Sequence, residues 1–530
     1  MENLKFYGTN AAIILGDRNY VLSPDALREI KKMCAAIPPD ADNAYAEMIN
    51  SAGRRSAGKR GKKTLFFRSL MNGGNSPSGI ISQNSWYLAS ALSAASLQYV
   101  FCGAKLNAAG DDFFGKEELR KILSSGEIGF AVLPLTEFYL KGAAKLCRFI
   151  KKHCPDCIIA AGGIMPTRHP FHVLAHFPEI GLLIRGDGDE ALPSALKCVL
   201  SGNYAGIAAL RGVFFRDSGV FIAADPGHIC RIKDLSSLFL DFSMLEKCDI
   251  EKGGYFYLSR GCRNACNFCV SYSRSMPRSV PAEKAARWFD MYRSRADELY
   301  CGKPPESALD IGFFDDDFFA CRETGLEILR AARHAGLKIS FVQTAVKSFF
   351  KDNIPQKGLD HDFIRSLEPD FFSESCLTDD MHPNLFIGTE NFCDEELKTL
   401  GKGYGIKEIS MLAEALSARG ITQRHHLILS NIFTREKHIK ENIAAVYALR
   451  HKFPRHFYLL QSITPALYSF YGTCSYAAAK NAGMLDYANM QTLKISGYPE
   501  FDYPVAGGDV PADSAAAAIV PAALEALKRL

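Results

Sequence analysis

The chain has 530 residues, 48% hydrophobic and 23% charged, with a formal net charge of +4. That length is too great for one core and implies two or three domains. The composition is ordinary for a soluble globular protein, and the charge is too small to argue for a nucleic-acid or acidic partner.

The N-terminus, MENLKFYGTN, shows no charged segment followed by an apolar one, so no secretory leader is expected. No apolar run is long enough to span a bilayer. Sixteen cysteines in such a chain point to reduced thiols and a cytoplasmic location. Residues 1–63 read as an N-terminal extension with a helical stretch, PDALREIKKMCAAI, and a basic run, Arg54 to Lys63. A solvated loop is the favoured reading of that run, and an RNA-contacting arm the other.

From Thr64 to residue 204, apolar runs alternate with helical patterns. The expected strands are TLFFRS, QYVFC, IGFAVL, CIIAAGG and GLLIRG. Near-continuous apolar strands between helices predict a Rossmann-like parallel sheet covered on both faces. Ligands of such sheets bind at the carboxyl ends of the strands. Residues 205–250 read as a linker hairpin and connector. A second series, 251–475, predicts six strand–helix units, with strands YFYLSR, ALDIGFF, KISFVQTA, NLFIGTE, RHHLILSN and HFYLLQSI. Six such units suggest a complete or partial barrel, whose chemistry sits where strands end. The alanine-rich tail, 476–530, is uninformative.

GCRNACNFCV, residues 261–270, follows the first strand of the second series. Its cysteines, Cys262, Cys266 and Cys269, are spaced C-x3-C-x2-C. A closed zinc site wants four ligands. A four-iron cluster held by three thiolates keeps one iron open, as a catalytic site requires. A zinc site completed by a distant histidine or cysteine is the alternative.

With Phe268 before the last cysteine, this motif resembles the radical S-adenosylmethionine (radical SAM) superfamily. The resemblance implies a partial (β/α)6 barrel and a 4Fe-4S cluster on Cys262, Cys266 and Cys269. It implies that the amino and carboxylate groups of S-adenosylmethionine chelate the open iron and that one electron cleaves the sulfonium to give a 5′-deoxyadenosyl radical. It places Phe268 near the adenine. At the end of the second strand, Asp315, Asp316 and Asp317 stand where the family contacts the methionine amino group. Alternation along a strand prevents all three from facing one pocket, and Asp315 and Asp316 are the candidates. Glu390, in GTENFCDEELKTLGKGY, is a candidate contact to the ribose or methionine, and Ser430 and Asn431 are possible ribose contacts. His425 and His426 are adjacent, so only one faces inward, and neither is expected to be a ligand.

The segment from Thr64 resembles the cobalamin-binding domain that precedes one radical SAM subgroup, through AAGGIMPTRHP and IRGDGDEAL. The resemblance places Gly162, Gly163 and Gly186 near the corrin or its tail, with Leu135 and Thr136 flanking its lower face. The loop CGAKLNAAGDDFFG lacks the histidine that ligates cobalt from below in other cobalamin proteins. That fits both a cobalt without a protein ligand and a domain that has lost its cofactor. Cys154 and Cys157, at the end of a helix, read as structural.

The expected function is a radical SAM enzyme, a cobalamin-dependent methyltransferase acting on an unactivated carbon of a small molecule. An electron donor such as flavodoxin or ferredoxin is implied, and no membrane or nucleic-acid partner. Radical rearrangement, cyclisation or oxidation without methyl transfer is one alternative. A non-enzymatic metal-binding module is another.

Overall fold

The computed structural model describes residues 62–70, 81–107, 111–217, 220–251, 253–271, 276–373, 385–459, 463–483 and 513–528. It also describes strands at 5–7, 11–14, 491–493 and 503–505 and the single positions 25, 28 and 511. Two compact units emerge: residues 1–233 with 238–241 and 492–505, and residues 234–237 with 242–491 and 506–530.

The first unit carries a nine-stranded sheet. Its parallel strands are Lys63–Phe67, Tyr99–Cys102, Ile128–Pro134, Ile158–Gly162 and Ile180–Ile184. Numbered along the chain, they lie in the order 2-1-3-4-5, a doubly wound arrangement with its switch point between the first and third strands. The run Ile128–Leu133 is buried at every position, which requires cover on both faces and explains its unbroken apolar sequence. Helix Gln83–Ala94 packs with Gly188–Ser201, and Lys116–Ser124 with Leu140–His153.

The hairpin expected within 205–250 forms, as Val213–Asp217 and Val220–Ala224, but it continues this sheet rather than standing apart as a linker. Ala11–Ile14 pairs with its outer strand and Lys5–Tyr7 with Ala11–Ile14, both antiparallel. The segment 1–63 thus carries edge strands, which short, weakly patterned sequences do not announce. Apart from positions 25 and 28, its helical stretch lies outside the described residues, as does its basic run up to residue 61.

The second unit holds a six-stranded parallel sheet whose strands follow chain order: Gly254–Phe256, Asp310–Phe313, Lys338–Thr344, Leu385–Glu390, Gln423–Leu427 and Phe457–Leu459. Helices Ala282–Leu299, Arg322–His334, Ile406–Ala418 and Glu436–Lys452 alternate with them. Burial alternates along the fourth and fifth strands. Leu385, Ile387, Gln423 and Leu427 lie on the fully buried face, while Phe386, Gly388, Glu390, Arg424 and His426 share a half-open one. The alanine-rich tail is not featureless: Ser514–Lys528 is a helix packed on Glu436–Lys452, burying Ala516, Ala523 and Leu527.

Candidate active site

The cysteine loop leaves the first strand through Gly261, at φ +95°, a conformation that glycine adopts without strain. A short ribbon closes its base, with Ser259–Arg260 antiparallel to Arg278–Ser279 and Val280 N donating to Leu258 O at 2.7 Å. Asn267 anchors the middle of the loop. Its N–H donates to Leu400 O at 3.0 Å, its Nδ2 to Thr399 O at 2.9 Å, and its carbonyl accepts from Ser475 N at 3.2 Å. Gly401, at φ +72°, makes room: a Cβ there would meet Asn267 at 3.0 Å.

The sulfurs accept local donors. Cys262 Sγ takes Asn264 N at 3.4 Å and Nδ2 at 3.1 Å, and Cys269 Sγ takes Ser271 N at 3.3 Å. Burial, and then the carboxylate of Asp317, push the Cys262 thiol up to about 12, so a bound cation would be needed to hold it as thiolate. Among the described residues, the thiol–carboxylate set gathered within 4.8 Å is Glu246, Cys248 and Asp249, and the three loop cysteines do not form such a set. A single zinc ion needs ligands that close. A cubane holds each thiolate on a different iron, so the residues present fit a four-iron cluster better than a lone ion.

The three aspartates divide as alternation requires. Asp315 and Asp317 are each 1% exposed, while Asp316 is exposed. The Asp315 carboxylate accepts from Ser259 N, tying the second strand to the residue before the ribbon's Arg260. Asp317 accepts from Thr344 Oγ1 at 2.9 Å, Ala345 N at 3.1 Å and Ser348 Oγ at 2.9 Å, fixing the end of the third strand. Burial pushes the Asp315 carboxyl up to about 7, against the Ser259 N–H, and the Asp317 carboxyl up to about 6, against its hydroxyl donors. Asp316 reaches the cysteine loop through Ser271 Oγ at 3.2 Å.

Glu390 sits at φ +72°, a left-handed conformation that costs energy in a non-glycine residue. Its carboxylate meets His426 Nδ1 and lies 3.7 Å from Lys402 Nζ. Burial would raise its carboxyl, but Lys402 and His426 outweigh it and hold it below the usual range. His426 Nε2 lies 2.9 Å from Thr464 Oγ1. Its neighbour His425 faces the other way, between Thr389 Oγ1 at 2.5 Å and Gln423 Oε1 at 2.9 Å, and burial pulls its pKa down to about 3.

Ser430 and Asn431 are 1% and 3% exposed and engaged internally. Ser430 Oγ donates to Pro465 O at 2.9 Å, and Asn431 Nδ2 donates to Glu396. Asn431 lines a cavity of about 220 Å³ with Asn267, Leu467 and Ser475. Phe268 packs on Leu400, Ile428 and Leu467. Lys402 and Tyr404 were not among the residues expected from the sequence. Lys402 Nζ donates to Gly388 O at 2.8 Å and lies 3.8 Å from Cys266 Sγ, while Tyr404 OH donates to Gly388 O at 3.2 Å. Both belong to the GTENFCDEELKTLGKGY stretch, whose closing lysine and tyrosine were the available signal.

In the first unit, strand ends bring Thr136, Gly162 and Gly163 to one edge. Leu135 is 1% exposed, its N–H donating to Gly162 O at 2.8 Å, and Thr136 is the partly exposed member of that pair. A Cβ on Gly162 would meet nothing within 4 Å, an open cradle that fits a bulky ligand. Gly163, at φ +102°, lets the chain approach Leu135 O, 3.1 Å from where a Cβ would stand. Gly186 is committed differently: at φ +92°, its Cβ position lies 2.2 Å from Cys230 O. Asp187 beside it donates its N–H to that same carbonyl at 2.9 Å and accepts from Ile232 N at 2.9 Å.

No family model matches the chain. A curated protein, the anaerobic magnesium-protoporphyrin IX monomethyl ester cyclase of Synechocystis sp., is 29% identical over 133 residues, 24% of this chain and 25% of that protein. The chain thus matches about a quarter of that relative's length. Among solved structures, the cobalamin-dependent S-adenosylmethionine radical enzyme OxsB, with aqua-cobalamin and S-adenosylmethionine bound, superposes with a TM-score of 0.62. It is 15% identical, with 98% of this chain and 75% of that one covered. The radical S-adenosylmethionine methyltransferase TsrM from Kitasatospora setae, with cobalamin and a 4Fe-4S cluster bound, gives 0.60 at 15% identity, covering 87% and 91%. The chain has the fold of the cobalamin-dependent radical SAM enzymes: a Rossmann-like unit followed by a parallel α/β unit with the cysteine loop at its first strand.

Proposed function

We propose that the protein is a radical SAM enzyme that uses cobalamin to methylate an unactivated carbon of a small molecule. The observation that carries the reading is the anchored three-cysteine loop at the carboxyl end of the first strand of a chain-order parallel sheet, with Asp316 and Glu390 at the ends of the second and fourth strands. Cys262, Cys266 and Cys269 would hold a 4Fe-4S cluster, which, when bound, supplies the electron that cleaves S-adenosylmethionine.

The protein's own groups do the rest by position. Asp316 is the aspartate not committed to a neighbouring strand, and its carboxylate is the group for the methionine ammonium. Asp315 and Asp317 hold the strands that carry it. Phe268 and the cavity beside Asn267 and Asn431 offer a site for the nucleoside, with Ser430 behind it. Glu390 orders Lys402 and His426 on the half-open face. Buried walls exclude water, which protects a reactive radical. In the first unit, Thr136 and the glycine edge at Gly162 and Gly163 would receive the corrin, with Gly186 and Leu135 supporting their loops from behind. A flavodoxin- or ferredoxin-like donor and a cytoplasmic setting belong to the same proposal. Among the described residues, no helix is long and apolar enough to cross a membrane.

Radical cyclisation without methyl transfer is the second reading, favoured by the cyclase match. The test is product analysis after anaerobic reconstitution with reductant, S-adenosylmethionine and cobalamin. 5′-Deoxyadenosine together with cobalamin-dependent S-adenosylhomocysteine is the expected result. Deoxyadenosine alone supports the second reading. Neither product, from protein with a full cluster, overturns both.

A further inference from the structure

Lys402 is 6% exposed. Its backbone is fixed by the end of helix Asp394–Thr399, with Lys402 N donating to Leu397 O at 3.0 Å, and by left-handed glycines on both sides, Gly401 and Gly403. The ammonium donates to Gly388 O at 2.8 Å and stands 3.8 Å from Cys266 Sγ, 3.7 Å from Glu390 Oε1 and 5.9 Å from the Phe268 ring centre. A buried cation normally needs a close, hydrogen-bonded carboxylate. Here the carboxylate is beyond hydrogen-bond length, and Glu390 also serves His426. Gly388 O is the close acceptor, and Cys266 Sγ and the Tyr404 ring flank the ammonium. Lys347, whose Nζ lies 3.1 Å from the Cβ position of Gly403, is a second cation near this loop.

We propose that Lys402 sets the reduction potential of the cluster through the Cys266 sulfur, with Glu390 as its counterweight. The inference rests on the cluster reading above. A thiolate-bound cluster gains one negative charge when an external donor reduces it. A fixed positive charge close to a ligand sulfur, in a low-dielectric setting, favours that reduced state. Lys402 is a positioning residue in this account: it acts through Cys266 and takes no part in bond breaking.

The experiment is an EPR-monitored redox titration of the full-length reconstituted protein without S-adenosylmethionine, after iron and sulfide have been quantified. Omitting S-adenosylmethionine removes any effect of the lysine on substrate binding. Lys402→Met should lower the potential enough to cut the reduced-to-oxidised ratio at least tenfold at fixed potential, about 59 mV for one electron. Glu390→Gln should shift it the other way, and Lys402→Arg should stay near the parent. A fully loaded Lys402→Met protein with the parent potential overturns the inference. If Lys402→Met takes up no iron, Glu390→Gln decides, and an unchanged potential there overturns it. A parent protein that takes up no iron and sulfide overturns the cluster reading, and this inference with it.

Discussion

Asp315, Asp316 and Asp317 show how one position along a strand separates a scaffold group from a chemical one. The outer two are buried and accept from neighbouring strands; the middle one is exposed beside the cysteine loop. Alternation was legible in the sequence, but the partners were not, because Ser259, Thr344 and Ser348 come from other strand ends. A pH prediction follows for Asp315 in the cofactor-free protein. Burial pushes its carboxyl up to about 7 in the folded chain, against about 4 for an unfolded aspartate. The folded state therefore holds the proton more tightly, and this contribution to stability is lost as pH rises from about 4 to about 7. Asp315→Asn should abolish that loss and be more stable than the parent at pH 8, by roughly 2–4 kcal/mol of unfolding free energy. Denaturant titrations at pH 5 and pH 8 check it, and equal differences at both would contradict the assignment.

Elements repeat the lesson with backbone in place of side chains. Gly162 and Gly186 both looked like ligand-cradling glycines after an apolar strand. The structure separates them, since one Cβ position is open and the other is filled by Cys230 O. Gly186→Ala should destabilise the protein by about 3 kcal/mol or more, through the clash and the strained φ. Gly162→Ala should change stability by less than about 0.5 kcal/mol and instead weaken cobalamin binding. Thermal melts and cobalamin titrations of both variants distinguish the two roles, and a loss of stability in Gly162→Ala would contradict the open cradle. The C-terminal helix escaped the sequence reading for a related reason. Its alanines carry little amphipathic signal, and its place was decided by the face of Glu436–Lys452 that it covers.

For the whole molecule, the two units predict two separable ligand responses. Cobalamin at a hundred times its Kd should stabilise the folded protein by about 2.7 kcal/mol, by mass action. Cys266→Ala should keep that response while losing iron and the brown absorption of a cluster. Differential scanning fluorimetry with iron analysis checks this, and a cobalamin response that disappears with the cluster would contradict it.

The sequence determined the two strand–helix series, the place of the cysteine trio and the type of chemistry those thiols suit. Periodicity and spacing are local properties, and both survive into the fold. Tertiary structure decided the rest. It chose which aspartate stays exposed, turned His425 inward and His426 to Glu390, and brought Lys402 to Cys266 across 136 residues. It also recruited strand Ala11–Ile14, and Lys5–Tyr7 through it, to a sheet strand more than 200 residues away. Such contacts depend on which strands become neighbours, and no single stretch of chain encodes that.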